Sequence, residues 1–395
     1  MTPHQTTIGR RIVLILVCAA LSGTTAYNRS IRSVRGDAHF AVEARGREAK
    51  RAAEWKLLLR AVESGSVGLI SSAAFCGNEL FLLDSQQALV HRIDLQTGRQ
   101  TGHIGPLGKV PDEPRISRAM ALDCAAQTLY MVDRTGVFVF NLASGRVENH
   151  FQQPTNFAYT TGSAVLDATT GTLFVPGLWT AARWPDWLHR DLDRQFQGDR
   201  LGYSLSLRDG TTTPLFTPLE LGCWAYSSAC LDVVFDEIQA RGEEGWVVAQ
   251  RVSTQVGVFD SQYRLLRVFD VRSPRFRENG RRMGHSSLAD AQRWHEDNST
   301  IRRVYAFGDH IVTIHTTHAT KNWIPGQQID FDVYMNIHSL DGTGEMSDIR
   351  LAGLPVARDD RGLYVLDYGP DGRRMGTDHL TLIRYPIVAD GQLAH

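Results

Sequence analysis

The sequence predicts an all-β chain in which one four-stranded unit is repeated six times around a ring. Three observations predict it. First, three stretches share one cadence: "LFLLDSQQALVHRIDLQTGRQ" from Leu80, "LYMVDRTGVFVFNLASGRV" from Leu129 and "LYVLDYGPDGRRMGTDHLTLIRYP" from Leu363. Second, apolar and polar residues alternate over five to seven positions between Gly, Asp and Asn, which is the period-two pattern of half-buried strands and not of helices. Third, each unit holds four short strands at a period in the forties, the sequence mark of a β-propeller blade.

The unit around Leu129 is the clearest. An apolar stretch, "RAMALDCAA", leads through a turn to "TLYMVD", then to "GVFVFNL", a "SG" turn and "RVENHF". Three further units are degenerate but legible. "SAVLDATTGTLFVPG" continues at "YSLSLRDGTTTPLF"; "ACLDVVFD" and "GWVVAQRV" precede "QVGVFDS" and "LLRVFDV"; "RRVYAFGDHIVTIHTT" precedes "DFDVYMNIHSLDG". Second strands are therefore expected to begin near Leu80, Leu129, Leu173, Trp246, Ile311 and Leu363. The last unit supplies "LPVARD", "LYVLD" and "HLTLIRYPI" but no fourth strand. An open sheet edge is a liability, so the ring is expected to close by borrowing "WKLLLRAV" at 55–62.

At 395 residues, 43% of them apolar, the chain can bury a large core. Its formal charge of −1 excludes bulk nucleic-acid binding. Only four of its 42 basic residues are Lys, so one Arg by itself marks no site. Arg10 and Arg11 precede the apolar run "IVLILVCAALSG" and the small residues Thr24 and Ala26, the pattern of a secretory signal cleaved after Ala26. The run is short for a membrane span, which takes about 20 residues, so an uncleaved anchor is the lesser alternative. The domain reading is a signal peptide at 1–26, a helical or linker segment at 27–54, whose residues 40–54 are rich in Ala, Glu and Arg and look helical, and the six-bladed β-propeller at 55–390. An exported chain, periplasmic or extracellular, is implied.

Four cysteines remain after signal removal: Cys76, Cys124, Cys223 and Cys230. An even number in an exported chain suits disulfides. Cys76 and Cys124 stand eight and nine residues before Asp84 and Asp133, at near-equivalent positions in neighbouring blades. A bridge between them needs alpha carbons within about 7 Å, and two buried thiols are the alternative. Cys223 and Cys230 would close a short loop.

The "LYVxD … F-x-L-x-x-G" cadence resembles six-bladed propellers of the NHL-repeat and TolB-like kind. The resemblance spans residues 55–390 and is strongest in units one, two and six; in units three to five Pro176, Gln250 and His315 replace the Asp. It implies the fold and a habit of binding at one face. Interaction modules, hydrolases and lyases all share that fold, which does not choose among them.

In such a ring the loops between strands two and three and the links between blades open on one face. The additions at 178–200, 316–329, 368–378, 217–229 and 272–302 all fall there, mostly around blades three to six. Elaborated loops on a rigid scaffold are where binding residues collect. Six of eight Trp lie in these additions: Trp179, Trp184, Trp187, Trp224, Trp294 and Trp323. They serve either as binding anchors or as small private cores of the insertions. Tyr368 and Arg373 belong to the same face, as do His189, His285, His295, His315 and His318. The pair His315/His318 has neither the helical spacing nor the partners of a transition-metal site, and none is predicted. Asp84, Asp133 and Asp367 recur at one position, where capping the following turn is the expected role; inward carboxylates holding calcium are the alternative. "RSPRFRENGRR" at 272–282 is the one basic cluster, either a solvated loop or an attractor of anionic partners. No nucleophile elbow, phosphate loop or assigned carboxylate pair is found. The sequence reading is a binding module for a protein, peptide or glycan, with a metal-assisted hydrolase or lyase at the axial mouth as the alternative.

Overall fold

The computed structural model describes residues 55–60, 70–105, 119–159, 163–179, 200–219, 233–277, 294–318, 331–359, 362–367 and 379–387, with short interruptions inside these spans. The signal segment, residues 27–54, Cys223 and Cys230 lie outside the described residues. So do Trp184, Trp187, Trp224, Trp323, His189, His285, His295, Tyr368 and Arg373.

The first described strand, β1 (Trp55–Arg60), stands apart from its chain neighbours. Blade one follows as β2 (Ile70–Cys76), β3 (Glu79–Asp84), β4 (Leu89–Asp94) and β5 (Gln100–Ile104), and blade two as β6 (Ala119–Asp123), β7 (Thr128–Val132), β8 (Gly136–Asn141) and β9 (Val147–Gln152). Blade three contains β10 (Phe157–Tyr159), β11 (Val165–Asp167), β12 (Thr172–Trp179), β13 (Arg200–Ser206) and β14 (Thr212–Phe216). Blade four is β15 (Val233–Ala240), β16 (Glu243–Gln250), β17 (Gln255–Asp260) and β18 (Leu265–Asp270). Blade five is β19 (Thr300–Phe307), β20 (His310–His318), β21 (Phe331–Ser339) and β22 (Gly344–Leu351), and blade six is β23 (Pro355–Arg358), β24 (Gly362–Asp367) and β25 (His379–Pro386). Each sheet is antiparallel with its strands in chain order, except that β1 completes blade six in the order β1-β25-β24-β23. Its register runs from Trp55 opposite Arg384 to Arg60 opposite His379, so the ring closes by the expected borrowed strand.

Blade three departs from the pattern. Two short segments, β10 and β11, take the place of one first strand, and both pair with β12. The register of β12 slips between Val175 and Leu178, where Pro176 lacks the N–H that a central strand needs.

Alternation along the strands explains why the cadence must repeat. In β3, Leu80 and Leu82 pack against blade six, while Phe81 and Leu83 pack against blade two. The same division recurs at every junction, and six apolar clusters fill the six seams between blades. A second strand is therefore apolar on both faces, and no blade buries both faces alone. Leu80, Phe81 and Leu83 are wholly buried, and such side chains contribute roughly 1.5–3 kcal/mol each. A disulfide joins Cys76 to Cys124 with alpha carbons 5.5 Å apart, linking the ends of the first strands of blades one and two.

Gly136 opens β8 at a φ of +148°, and a Cβ there would collide with the Phe151 carbonyl oxygen. The tight turn after Asp133 needs that glycine.

Candidate functional site

The strand order sorts the connections onto two faces. The turns between strands one and two, and between three and four, run to five residues at most. The long connections β5 to β6, β12 to β13, β14 to β15, β18 to β19, β20 to β21 and β24 to β25 all leave from the other face. The ring is thus plain on one side and elaborated on the other.

Asp84 and Asp133 close second strands at the elaborated face, and both engage the turns that follow. The Asp84 carboxylate accepts from the Gln87 backbone N–H at 3.1 Å. Asp133 accepts from Thr135 N–H at 2.6 Å, Thr135 Oγ1 at 2.7 Å and Gly136 N–H at 3.1 Å. The repeated Asp is thereby a turn cap at these two positions. Among the described residues, no group of three His, Cys, Asp or Glu side chains is arranged to hold a metal ion.

Blade five carries two histidines of the elaborated face, His315 and His318, both on β20. His315 is only 1% exposed, flanked by Phe276 and stacked on Tyr334 with ring centroids 5.4 Å apart. Asn336 takes the Asp348 N–H on its Oδ1 at 2.8 Å, which turns its Nδ2 toward His315 Nδ1 at 3.1 Å. That arrangement assigns the imidazole proton to Nε2. Burial lowers the His315 pKa to about 4, against the opposing pull of Asp348. The imidazole is neutral and enclosed in the seam between blades four and five. β20 is unbroken through His315 and His318.

Two predicted tryptophans are described. Trp294 is 3% exposed, so its ring is enclosed and not presented as an anchor, and its carbonyl accepts from the Asn298 amide at 2.8 Å. Trp179, at the end of β12, is half-buried with its ring 6.3 Å from that of Tyr203. The described part of the basic stretch is anchored: Phe276 is buried in the seam and Arg275 lies over the Tyr334 ring at 5.7 Å.

The centre of the ring holds residues that sequence reasoning did not single out. First strands meet one another there, and among the described residues the inner edge of each has no strand beside it. On β19 the Ala306 N–H donates to Asp236 Oδ2 of β15 at 2.9 Å, while its carbonyl accepts from Arg358 Nη1 of β23 at 3.3 Å. Arg358 Nη2 in turn donates to Asp236 at 2.9 Å. One ion pair thus joins blades four and six and satisfies the exposed backbone of blade five between them. Arg303 reaches over blade six to the Ser71 carbonyl of blade one at 2.9 Å. Burial raises the Asp236 pKa despite the downward pull of Arg358 and the Ala306 N–H. It also raises that of Tyr305, which feels the charges of Arg303, Asp236 and Arg358. The available signal was a charge inside an innermost strand: Asp236 ends "ACLDVVFD" and Arg358 lies in "LPVARD".

Comparison with solved structures finds likenesses at low sequence identity. A member of the DUF4221 family from Bacteroides vulgatus matches with a TM-score of 0.58 at 11% identity, over 88% of this chain and 98% of that one. The likeness is one of fold. A candidate exported protein from Bacteroides fragilis matches at a TM-score of 0.48 and 11% identity, over 83% of this chain and 93% of that one. Hydrazine synthase from Kuenenia stuttgartiensis gives 0.46 at 15% identity, over 82% and 88%. No protein-family model matches the chain, and no curated protein matches it in sequence. Among the described residues, no helix is long and apolar enough to cross a membrane.

Proposed function

We propose that this chain is an exported propeller, periplasmic or extracellular, that binds a protein, peptide or glycan through its elaborated face around blades three to six. Its cadence resembles the NHL-repeat and TolB-like propellers, and its export rests on the N-terminal pattern ending at Ala26. The observation that carries the reading is the one-sided distribution of long connections on a ring whose other face has only tight turns. The alternative, a metal-assisted hydrolase or lyase at the axial mouth, has less support. Of the described side chains near the axis, Arg358 and Asp236 pair with each other and Arg303 donates to backbone carbonyls, and His315 is enclosed in a seam.

Native mass spectrometry of the protein from its own envelope fraction tests the proposal, beside a variant with residues 181–198 replaced by a short glycine-serine turn. A bound polymer or protein in the parent chain, lost in the variant, is expected. An excess equal to a metal ion in both proteins, or a bare chain in both, overturns it.

A further inference from the structure

We propose that the centre of the ring is an oxyanion site, in which Arg303 and Arg358 receive the carboxylate or phosphate group of a small ligand. The inference is independent of what the elaborated face binds.

Most ion-paired arginines of the described chain have a dedicated carboxylate outside the ring centre: Arg92 has Glu79, Arg264 has Asp260, Arg350 has Asp332 and Arg384 has Asp359. Arg303 differs. Its Nη1 and Nη2 donate to the carbonyls of Arg302 and Ser71, each at 2.9 Å, and its side chain also hydrogen-bonds Tyr305; these partners are neutral, and no carboxylate lies in ion-pair range among the described residues. A half-buried guanidinium in that state has lost hydration without gaining a counter-charge, so a ligand oxyanion would satisfy it. The two carbonyls also fix the plane of the fork, which favours bidentate recognition.

Arg358 is the second donor. It keeps 32% of its side chain exposed while paired with Asp236, and that pairing fixes its head group. Two guanidinium groups against one carboxylate leave a net positive charge beside Tyr305. The Tyr305 hydroxyl remains protonated because burial raises its pKa. The innermost strands of blades two and three, "AMALD" and "VLD", contribute acids only at their ends. Those acids are engaged in their own turns, Asp123 with Ala126 N–H and Asp167 with Thr169 and Thr170 N–H. Those acids therefore do not offset the two guanidinium groups.

The test is calorimetric titration of the full chain with hexanoate and, separately, inorganic phosphate, at ionic strength held constant with chloride. Saturable binding of at least one is expected. Arg303→Gln should weaken it by about tenfold or more, as expected for loss of a charge-assisted pair. Asp236→Asn keeps an acceptor for the Ala306 N–H but removes the competing charge, and should tighten binding, an effect that a purely structural cluster would not produce. Binding of hexanoate alone assigns a carboxylate ligand, and of phosphate alone a phosphoryl one. If Arg303→Gln fails to fold, phenylglyoxal labelling of the parent chain, mapped by peptide mass, replaces it. Protection of Arg303 by the bound anion supports the site. No saturable binding, unchanged affinity in Arg303→Gln or unprotected Arg303 overturns it.

Discussion

His315 makes the fold sensitive to acid in a way that one substitution isolates. In the folded chain its Nδ1 faces the Asn336 amide donor, whose orientation is fixed by the Asp348 N–H, so a second ring proton would meet another donor. Burial disfavours the charged ring as well, and the folded pKa lies at about 4 against an ordinary value of 6.5. Between those values the unfolded chain binds a proton that the folded chain does not, so stability falls as pH falls. The contribution is fully present above pH 6.5 and is lost on the way down to pH 4. A gap of about 2.5 units corresponds to roughly 3 kcal/mol. Urea unfolding at pH 7, 6, 5 and 4.5 measures it, with His315→Gln as reference, because Gln can accept from Asn336 and carries no titrating group. The parent should lose stability more steeply than the variant, with the gap between them narrowing or reversing toward pH 4.5. Parallel curves would refute the reasoning, since every other titrating group is common to both proteins.

Four further outcomes are expected. Reduction, or Cys124→Ser, removes a crosslink between residues 48 apart, worth about 4 kcal/mol by loop-closure entropy, and should lower the melting temperature; an unchanged melt under reductant contradicts the bridge. Asp236→Ala leaves the Arg358 charge and the Ala306 N–H without their partner. Its cost should be roughly 2–3 kcal/mol in urea, below the value for a fully buried pair because Arg358 is a third exposed. Gly136→Ala should cost about 2 kcal/mol or more, through both its φ and the Phe151 carbonyl, and a neutral effect in a thermal melt would count against the described turn. Removing residues 55–60 opens the edge of β25 and should shift the protein into aggregates on size exclusion, whereas a monodisperse truncated chain would mean that β1 is not needed for closure.

The strands were legible because each is specified locally. "LFLLD", "LYMVD" and "LYVLD" carry residues for two seams at once, and a strand buried on both faces can hardly be written otherwise. The borrowed strand was legible for a negative reason: the last unit runs out of chain after "HLTLIRYPI", and its edge has to be covered. The near-equivalent placement of Cys76 and Cys124 left a bridge and two buried thiols as alternatives, and the structure joins them. The split first strand of blade three was not legible, since "SAVLD" reads as a complete strand and nothing local indicates a second segment at Phe157–Tyr159. β22 was missed because "GEMSDIRL" alternates poorly, and its pairing with β21 is twice interrupted.

The sequence by itself determined the repeat, the number of blades, the closure and the face that carries the long connections, because alternation and turn residues act over a few positions. Only the tertiary structure decided what stands at the centre. Asp236 and Arg358 are 122 residues apart and Arg303 and Ser71 are 232 apart, each pair meeting across an intervening blade. In a chain with 42 basic residues no single Arg draws notice. These become a cluster because six inner edges, each lacking a neighbouring strand, converge on one axis, where unpaired backbone groups and desolvated charges must satisfy one another.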